Sequence, residues 1–178
     1  QIVLRLNGYL PPHRLKLALD YVAQHKEGEI SYQDYLGANR SEIAGRELHP
    51  EDFFLSPPYD LTRTGQASRP VAVFFEQRDC PDCDVLHANV LSDPPTRAII
   101  REFDNVQLDI WSNTPLTTPE GKTTTARDWA RELKIQYAPT IVLFNAQGDE
   151  VIRSEAALRV FHTQGLFAYA LSGSYNTK

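Results

Sequence analysis

The sequence predicts an α/β fold: a central mixed sheet flanked by helices, with a strand–helix extension ahead of it. Three observations carry this reading. The only two cysteines form Cys80-Pro81-Asp82-Cys83, soon after an apolar, strand-like run, Val71-Ala72-Val73-Phe74-Phe75. From that run onward, segments of strand length alternate with helical patterns in the order β-α-β-α-β-β-α. Tyr137-Ala138-Pro139-Thr140 then leads into a second apolar strand, Ile141-Val142-Leu143-Phe144.

Taken in order, Ile2–Leu6 reads as a strand, and Pro11-Pro12 opens a helix through Leu15, Leu19 and Val22. Residues 37–69 contain Gly37, Gly45, Pro50, Pro57, Pro58 and Gly65 and only short apolar pieces such as Phe53-Phe54-Leu55. Such a stretch is expected to be a linker or wrapping arm. Val71–Glu76 is a strand, and Cys80 to about Val90 a helix. Pro94-Pro95-Thr96 starts another helix through Ile99, Ile100 and Phe103, and Val106–Trp111 is the next strand. Ser112–Thr124 is polar and rich in Thr and Pro, and is expected to be a loop. Thr125–Leu133 is helical, Thr140–Phe144 and Val151–Arg153 form a hairpin, and Leu158–Leu171 is the last helix. Trp111, Trp129 and Tyr169 are expected in the core or at its rim. The expected organisation is therefore a strand–helix segment over 1–36, an arm over 37–69 and the α/β domain over 70–178.

The first segment echoes the end of the chain. At one constant offset, Val3, Arg5, Leu10, Leu19 and Tyr21 match Val151, Arg153, Leu158, Phe167 and Tyr169. One expectation is that the segment closes a preceding domain of the same kind; the other is that it is a private arm. An orphan strand would expose an unpaired edge, which packing on the α/β domain or a dimer would cover.

Composition narrows the function. The 178 residues suit one ordinary domain with additional material, and 42% hydrophobic and 10% aromatic residues suffice for a core. A net charge of −5 argues against an electrostatic nucleic-acid binder. No apolar run approaches the roughly 20 residues of a membrane span. The chain begins at Gln1 and contains no Met, so its natural start is expected to have been removed, and the lack of a leader says nothing about export.

A C-x-x-C pair between a buried strand and a helix is the layout of a dithiol/disulfide site. Cys80 is the candidate nucleophile, because the first sulfur meets the helix N-terminal amides and is the more exposed; Cys83, one turn on, is the resolving thiol. Pro81 suits the first helical turn. Asp82 and Asp79 disfavour the thiolate, while Arg78 and the helix dipole favour it. Two other readings stay open. Cys80, Cys83 and His87 would supply three ligands of a metal-binding module, or the chain is a non-enzymatic interaction domain.

The stretch Phe74-Phe75-Glu76-Gln77 through Cys80-Pro81-Asp82-Cys83 to Leu86-His87 resembles exported bacterial thioredoxin-like proteins associated with sulfur oxidation. Tyr137-Ala138-Pro139-Thr140 is similar to the thioredoxin cis-proline loop, and the two motifs span roughly residues 70–171. The resemblance implies a thioredoxin fold without a cofactor and a thiol–disulfide oxidoreductase acting on protein or peptide disulfides. It also implies a reductant in the periplasm or another exported compartment, recharged by a redox partner. Substrate contacts would come from Pro81, Asp82, Ala138, Pro139 and Thr140. Thioredoxin carries a buried acid six residues before the nucleophile; that position is Phe74 here, and Glu76 is the substitute proton acceptor to consider, with a solvated strand-end role as its alternative. The Pro-Asp between the cysteines also departs from thioredoxin's Gly-Pro, which puts the same partner set in doubt.

Overall fold

The computed structural model describes residues 3–6, 12–39, 47–63, 69–78 and 80–176. They fall into two compact units, Gln1–Arg46 and Glu47–Lys178. In the first, helix α1 (Pro12–Ala23) is followed by a 3-10 turn, Lys26–Gly28, and by α2 (Tyr32–Ala38). Ser31 caps α2 by accepting from the Asp34 amide at 3.1 Å. A tyrosine cluster joins the helices: the Tyr21 ring lies 5.2 Å from Tyr32 and 5.3 Å from Tyr35. The Tyr21 hydroxyl donates to the Ile30 carbonyl at 2.8 Å. The strand expected over Ile2–Leu6 is not formed: residues 3–6 belong to no strand, and Ile2 lies outside the described residues. Apolar alternation makes a strand only where another strand completes its ladder, and the first unit shows none among the described residues.

The second unit begins with the stretch expected as linker or arm. Residues 47–63 are built into it: Phe54 bridges to Asn105, and the Leu55 amide donates to the Asn105 carbonyl at 2.9 Å. Leu61 is completely buried. The strands here are β1 (Tyr59–Asp60), β2 (Val71–Glu76), β3 (Asp104–Asp109), β4 (Pro115–Thr117), β5 (Thr123–Thr125), β6 (Thr140–Phe144) and β7 (Glu150–Ser154). The helices are α3 (Pro81–Val85), α4 (Pro94–Ile100), α5 (Ala126–Glu132) and α6 (Val160–Ser172), with a π-helical segment, Leu86–Leu91, continuing α3.

The main sheet runs β3-β2-β6-β7, with β2 and β3 parallel and the other neighbours antiparallel. All six residues of β2 are buried, because both faces are covered, and this is why the strand reads as an unbroken apolar run. Val71, Val73 and Phe75 pack with Trp129 and Ala130 of α5 and with both cysteines. Ala72 and Phe74 pack with Leu86 and Val90 of the π segment, Ile100 of α4, and Phe167 and Ala170 of α6. Trp129 is thus core, while Trp111 and Tyr169 stand at the rim.

Three expectations are corrected. The polar loop over Ser112–Thr124 contains β4, and β5 begins within it; the pair forms an antiparallel hairpin, with β1 joining β4 in parallel as a second, three-stranded sheet. The Thr-rich stretch has β propensity, and Leu116 anchors it in the core beside Leu61. Gly121, at φ 86°, makes the turn that other residues disfavour. The helix expected over residues 80–90 becomes α3 and then the π turn, which rephases the side chains beyond Leu86. The next strand is set two residues earlier than expected, at Asp104, whose amide donates to the Pro70 carbonyl at 2.9 Å.

Because Leu61 is fully enclosed, Leu61→Ala is expected to destabilise the protein by about 2–5 kcal/mol in urea unfolding. An unchanged midpoint would mean that this segment is a loose linker after all.

Candidate functional site

Strand β2 ends at Glu76, and a short loop carries the chain to Cys80, the N-cap of α3. Asp79 lies outside the described residues. Pro81 occupies the first turn, where its missing N–H has no helical partner to lose. Cys80 and Cys83 are joined as a disulfide with their Cα atoms 5.1 Å apart. The Cys83 amide donates to the Cys80 sulfur at 3.1 Å. On reduction that donor, with the positive end of the helix, favours a thiolate on Cys80. One expectation fails here: Cys80 is not appreciably more exposed than Cys83, at 3% against 1%. The enclosing element is the segment ahead of β6, whose Ala138 carbonyl oxygen lies 3.5 Å from the Cys80 sulfur. Pro81 is the exposed neighbour.

The fold therefore brings Cys80, Cys83 and Ala138–Pro139 together, and the Ala138–Pro139 peptide bond is cis. A hydrogen bond not readable from sequence locks the two segments: the Tyr137 hydroxyl donates to the Asp82 carboxylate at 2.7 Å. Asp82 is thus held by the loop opposite. Thr140 is buried, its hydroxyl donating to the Tyr137 carbonyl at 2.7 Å, so its side chain braces the loop from inside. Arg78 is half exposed and pairs with Asp109 at 3.4 Å.

Glu76 is completely buried and belongs to a separate polar cluster. Its carboxylate accepts from His87 Nε2 at 3.1 and 3.2 Å and from Gln107 Nε2 at 3.1 Å. It is therefore not the solvated strand-end residue that was the alternative. Neither sulfur is among its hydrogen-bond partners: Glu76 continues the Ala72–Phe74 face, while the cysteines pack with the Phe75 face. His87 Nδ1 meets Glu51 Oε1 at 3.0 Å. The His49 ring lies tilted against His87 with centroids 4.8 Å apart, and His49 Nε2 pairs with Asp84 at 2.6 Å. Glu51 also binds Arg97 at 2.6 Å. The arrangement does not assemble the Cys80, Cys83 and His87 ligand set that the metal-binding alternative requires. Both ring nitrogens of His87 are engaged by carboxylates, and no metal-holding group of three His, Cys, Asp or Glu side chains exists among the described residues.

Burial works against a charged His87, but the hydrogen bonds and charges of Glu76 and Glu51 outweigh it and hold its pKa above the usual histidine value. Tyr137, His49, Glu51 and Gln107 escaped the sequence reading. Only Tyr137 carried a signal, its place directly before Ala138-Pro139; the others act through contacts between residues far apart in the chain.

The architecture is that of a thioredoxin fold with its cysteine pair at the end of the central strand. The family model described as thioredoxin-like domain matches residues 57–166, and the chain belongs to that family. No curated protein sequence matches it. Among solved structures, a thioredoxin-fold protein from Helicobacter pylori is similar at 15% identity and TM-score 0.61, over 71% of this chain and 81% of that one. A thioredoxin from Thermus thermophilus is similar at 24% identity and TM-score 0.46, over 59% and 75% of the two chains. The DsbD C-terminal domain of Neisseria meningitidis, in its oxidised form, is similar at 17% identity and TM-score 0.46, over 57% and 80%. No helix among the described residues is long and apolar enough to cross a membrane.

Tyr137→Phe is expected to cost about 1–2 kcal/mol of stability by urea unfolding, since it leaves the Asp82 carboxylate without this donor; a cost below a few tenths would deny the lock. The raised His87 pKa has a second consequence. Its stabilisation is complete below about pH 6.5, the unfolded value, and is lost as pH rises through the higher folded value. Denaturation midpoints across pH should show this decline in the parent and lack it in His87→Gln.

Proposed function

We propose that the protein is a thiol–disulfide oxidoreductase of protein or peptide disulfides, working as a reductant through Cys80 and Cys83. The observation that carries this is the placement of the Cys80 sulfur between the Cys83 amide and the Ala138 carbonyl, 3.1 and 3.5 Å away. The amide supports a thiolate, and the backbone of the loop beside it offers an extended client segment a place to pair.

In the reducing direction, the Cys80 thiolate attacks one sulfur of a client disulfide. That S–S bond breaks, and the second client sulfur leaves as a thiolate and takes up a proton. Cys83 then loses its proton and attacks Cys80; the Cys80–client bond breaks and the Cys80–Cys83 bond forms. Two electrons pass from the dithiol to the client, and a partner of lower potential must return them. The enclosure of Cys80 means that a client sulfur approaches past exposed Pro81 rather than onto an open thiol. For Glu76 to accept the Cys83 proton, a bridging water would have to connect them, since it bonds neither sulfur directly. The likeness of the cysteine motif to exported thioredoxin-like proteins supports an exported setting and a reducing role; subcellular fractionation and the reduction potential test these two points.

Cys83→Ser is expected to accumulate mixed disulfides with client proteins, and Cys80→Ser to trap almost none, on non-reducing gels. Equal trapping would reverse or abolish the assignment. A parent protein unable to reduce any protein disulfide would leave a fold kept for binding alone.

A further inference from the structure

The Glu76–His87 pair closes the segment that contains the redox motif. Glu76 lies four residues before Cys80 and His87 four after Cys83, and their side chains meet at 3.1 Å at the base of the loop. His87 stands in the π-helical segment, whose changed phase carries it away from the ordinary α-helical course. Glu51 reaches His87 from the stretch 47–55, which precedes the residues matched by the family model. Two carboxylates thus face one imidazole in a place that water barely reaches: Glu76 is 0% and His87 6% exposed. A neutral imidazole can donate to only one of them and turns a lone pair on the other; the imidazolium donates to both.

We propose that His87, acting as an imidazolium between Glu76 and Glu51, is a positioning residue that braces the redox loop and offsets the carboxylate charge that would otherwise oppose the Cys80 thiolate. The proposal rests on the dithiol reading above and adds to it the group that sets the electrostatic balance of the site. Every polar neighbour of the pair belongs in that balance. From the 47–55 stretch come Glu51 and the adjacent His49, itself paired with Asp84 of α3. From β3 comes neutral Gln107, bonded to Glu76 and to the His49 carbonyl. From α4 comes Arg97, paired with Glu51 and Asp52. Arg97 compensates Glu51 from outside, whereas among the described residues Glu76 has His87 as its cationic partner. Charges at a partly buried site interact well beyond contact distance, and Glu76 and His87 flank the cysteine pair in the chain, so the loss of either member should be felt at the sulfur.

The test is the pH dependence of Cys80 alkylation by iodoacetamide in the reduced protein, with thiolate absorbance as a second readout. Removing the cation in His87→Gln is expected to raise the proton affinity of Cys80 at least threefold. Removing the anion in Glu76→Gln is expected to lower it at least threefold over the pH range in which His87, still bonded to Glu51, keeps its proton, a range fixed by the His87 NMR titration of the same variant. The double variant Glu76→Gln/His87→Gln, which is neutral at both positions, is expected to return close to the parent. A merely structural brace would not produce opposite signs that cancel. Shifts of the same sign, or no shift in either single variant, overturn the proposal. Should His87→Gln fail to fold, Glu76→Gln and Glu51→Gln carry the test: each removes a carboxylate and should lower the proton affinity, and no change in both overturns the proposal. A parent whose cysteines alkylate but reduce no disulfide would remove the dithiol reading and leave the charge balance standing. A parent that reduces disulfides while the variants leave the profile unmoved would do the reverse.

Discussion

Burial of β2 on both faces is the constraint on which the rest of the molecule depends. Its backbone is paired on one side with β3 in parallel and on the other with β6 in antiparallel. Its side chains divide between two cores, one reaching α5 and the cysteines and the other reaching the π segment, α4 and α6. A strand held in this way has almost no freedom to slip, because a shift of one residue would exchange the two cores. Its C-terminal end is therefore a fixed point, and the residues that follow it inherit that fixity. Cys80 is delivered to the helix start, and Glu76 is delivered, as an acid, into the interior.

Two polar locks act on that fixed end and differ in kind. Tyr137 and Asp82 join the loop before β6 to the redox helix through one hydrogen bond to a carboxylate that remains partly in water. Glu76, His87 and the partly buried Glu51 form a charged triad, in which an unpaired member would be costly to enclose. Such a triad is weak evidence for net stability, since an apolar replacement of the same shape can serve as well. Its presence in the base of a redox loop makes better sense as a device for placing charge. The surrounding aromatic packing, with Phe54 at 5.1 Å from Phe74 and 6.3 Å from His87, keeps solvent away and strengthens the interaction.

The stretch 47–63 shows how a segment with poor local signals becomes structural. It supplies His49 and Glu51 to the charged cluster, Phe54 to the core beside β2, and Tyr59 and Asp60 to a second sheet. None of these roles uses regular structure longer than two residues. The segment is ordered by what it touches, not by its own propensity, and it adds to the family-matched region a part that begins before residue 57.

What the sequence by itself determined is the plan of the main sheet in the second unit and the place of the cysteine pair beside it. The unbroken apolar run of β2, the C-x-x-C at a helix start and the proline ahead of β6 are local patterns, and local physics governs them: burial on two faces, capping by Cys80, and the fixed geometry of proline. Tertiary structure alone decided which polar groups meet. Nothing in the chain order pairs Tyr137 with Asp82, Glu51 with His87 or Gln107 with Glu76, because these contacts arise only when the sheet register and the helix phase are set. The same holds for the short strands β4 and β5, which look like loop until β1 and the core under Leu116 give them partners. Residues 3–6 make the opposite case: their strand-like alternation remains without a ladder, because a strand is a property of two segments and not of one.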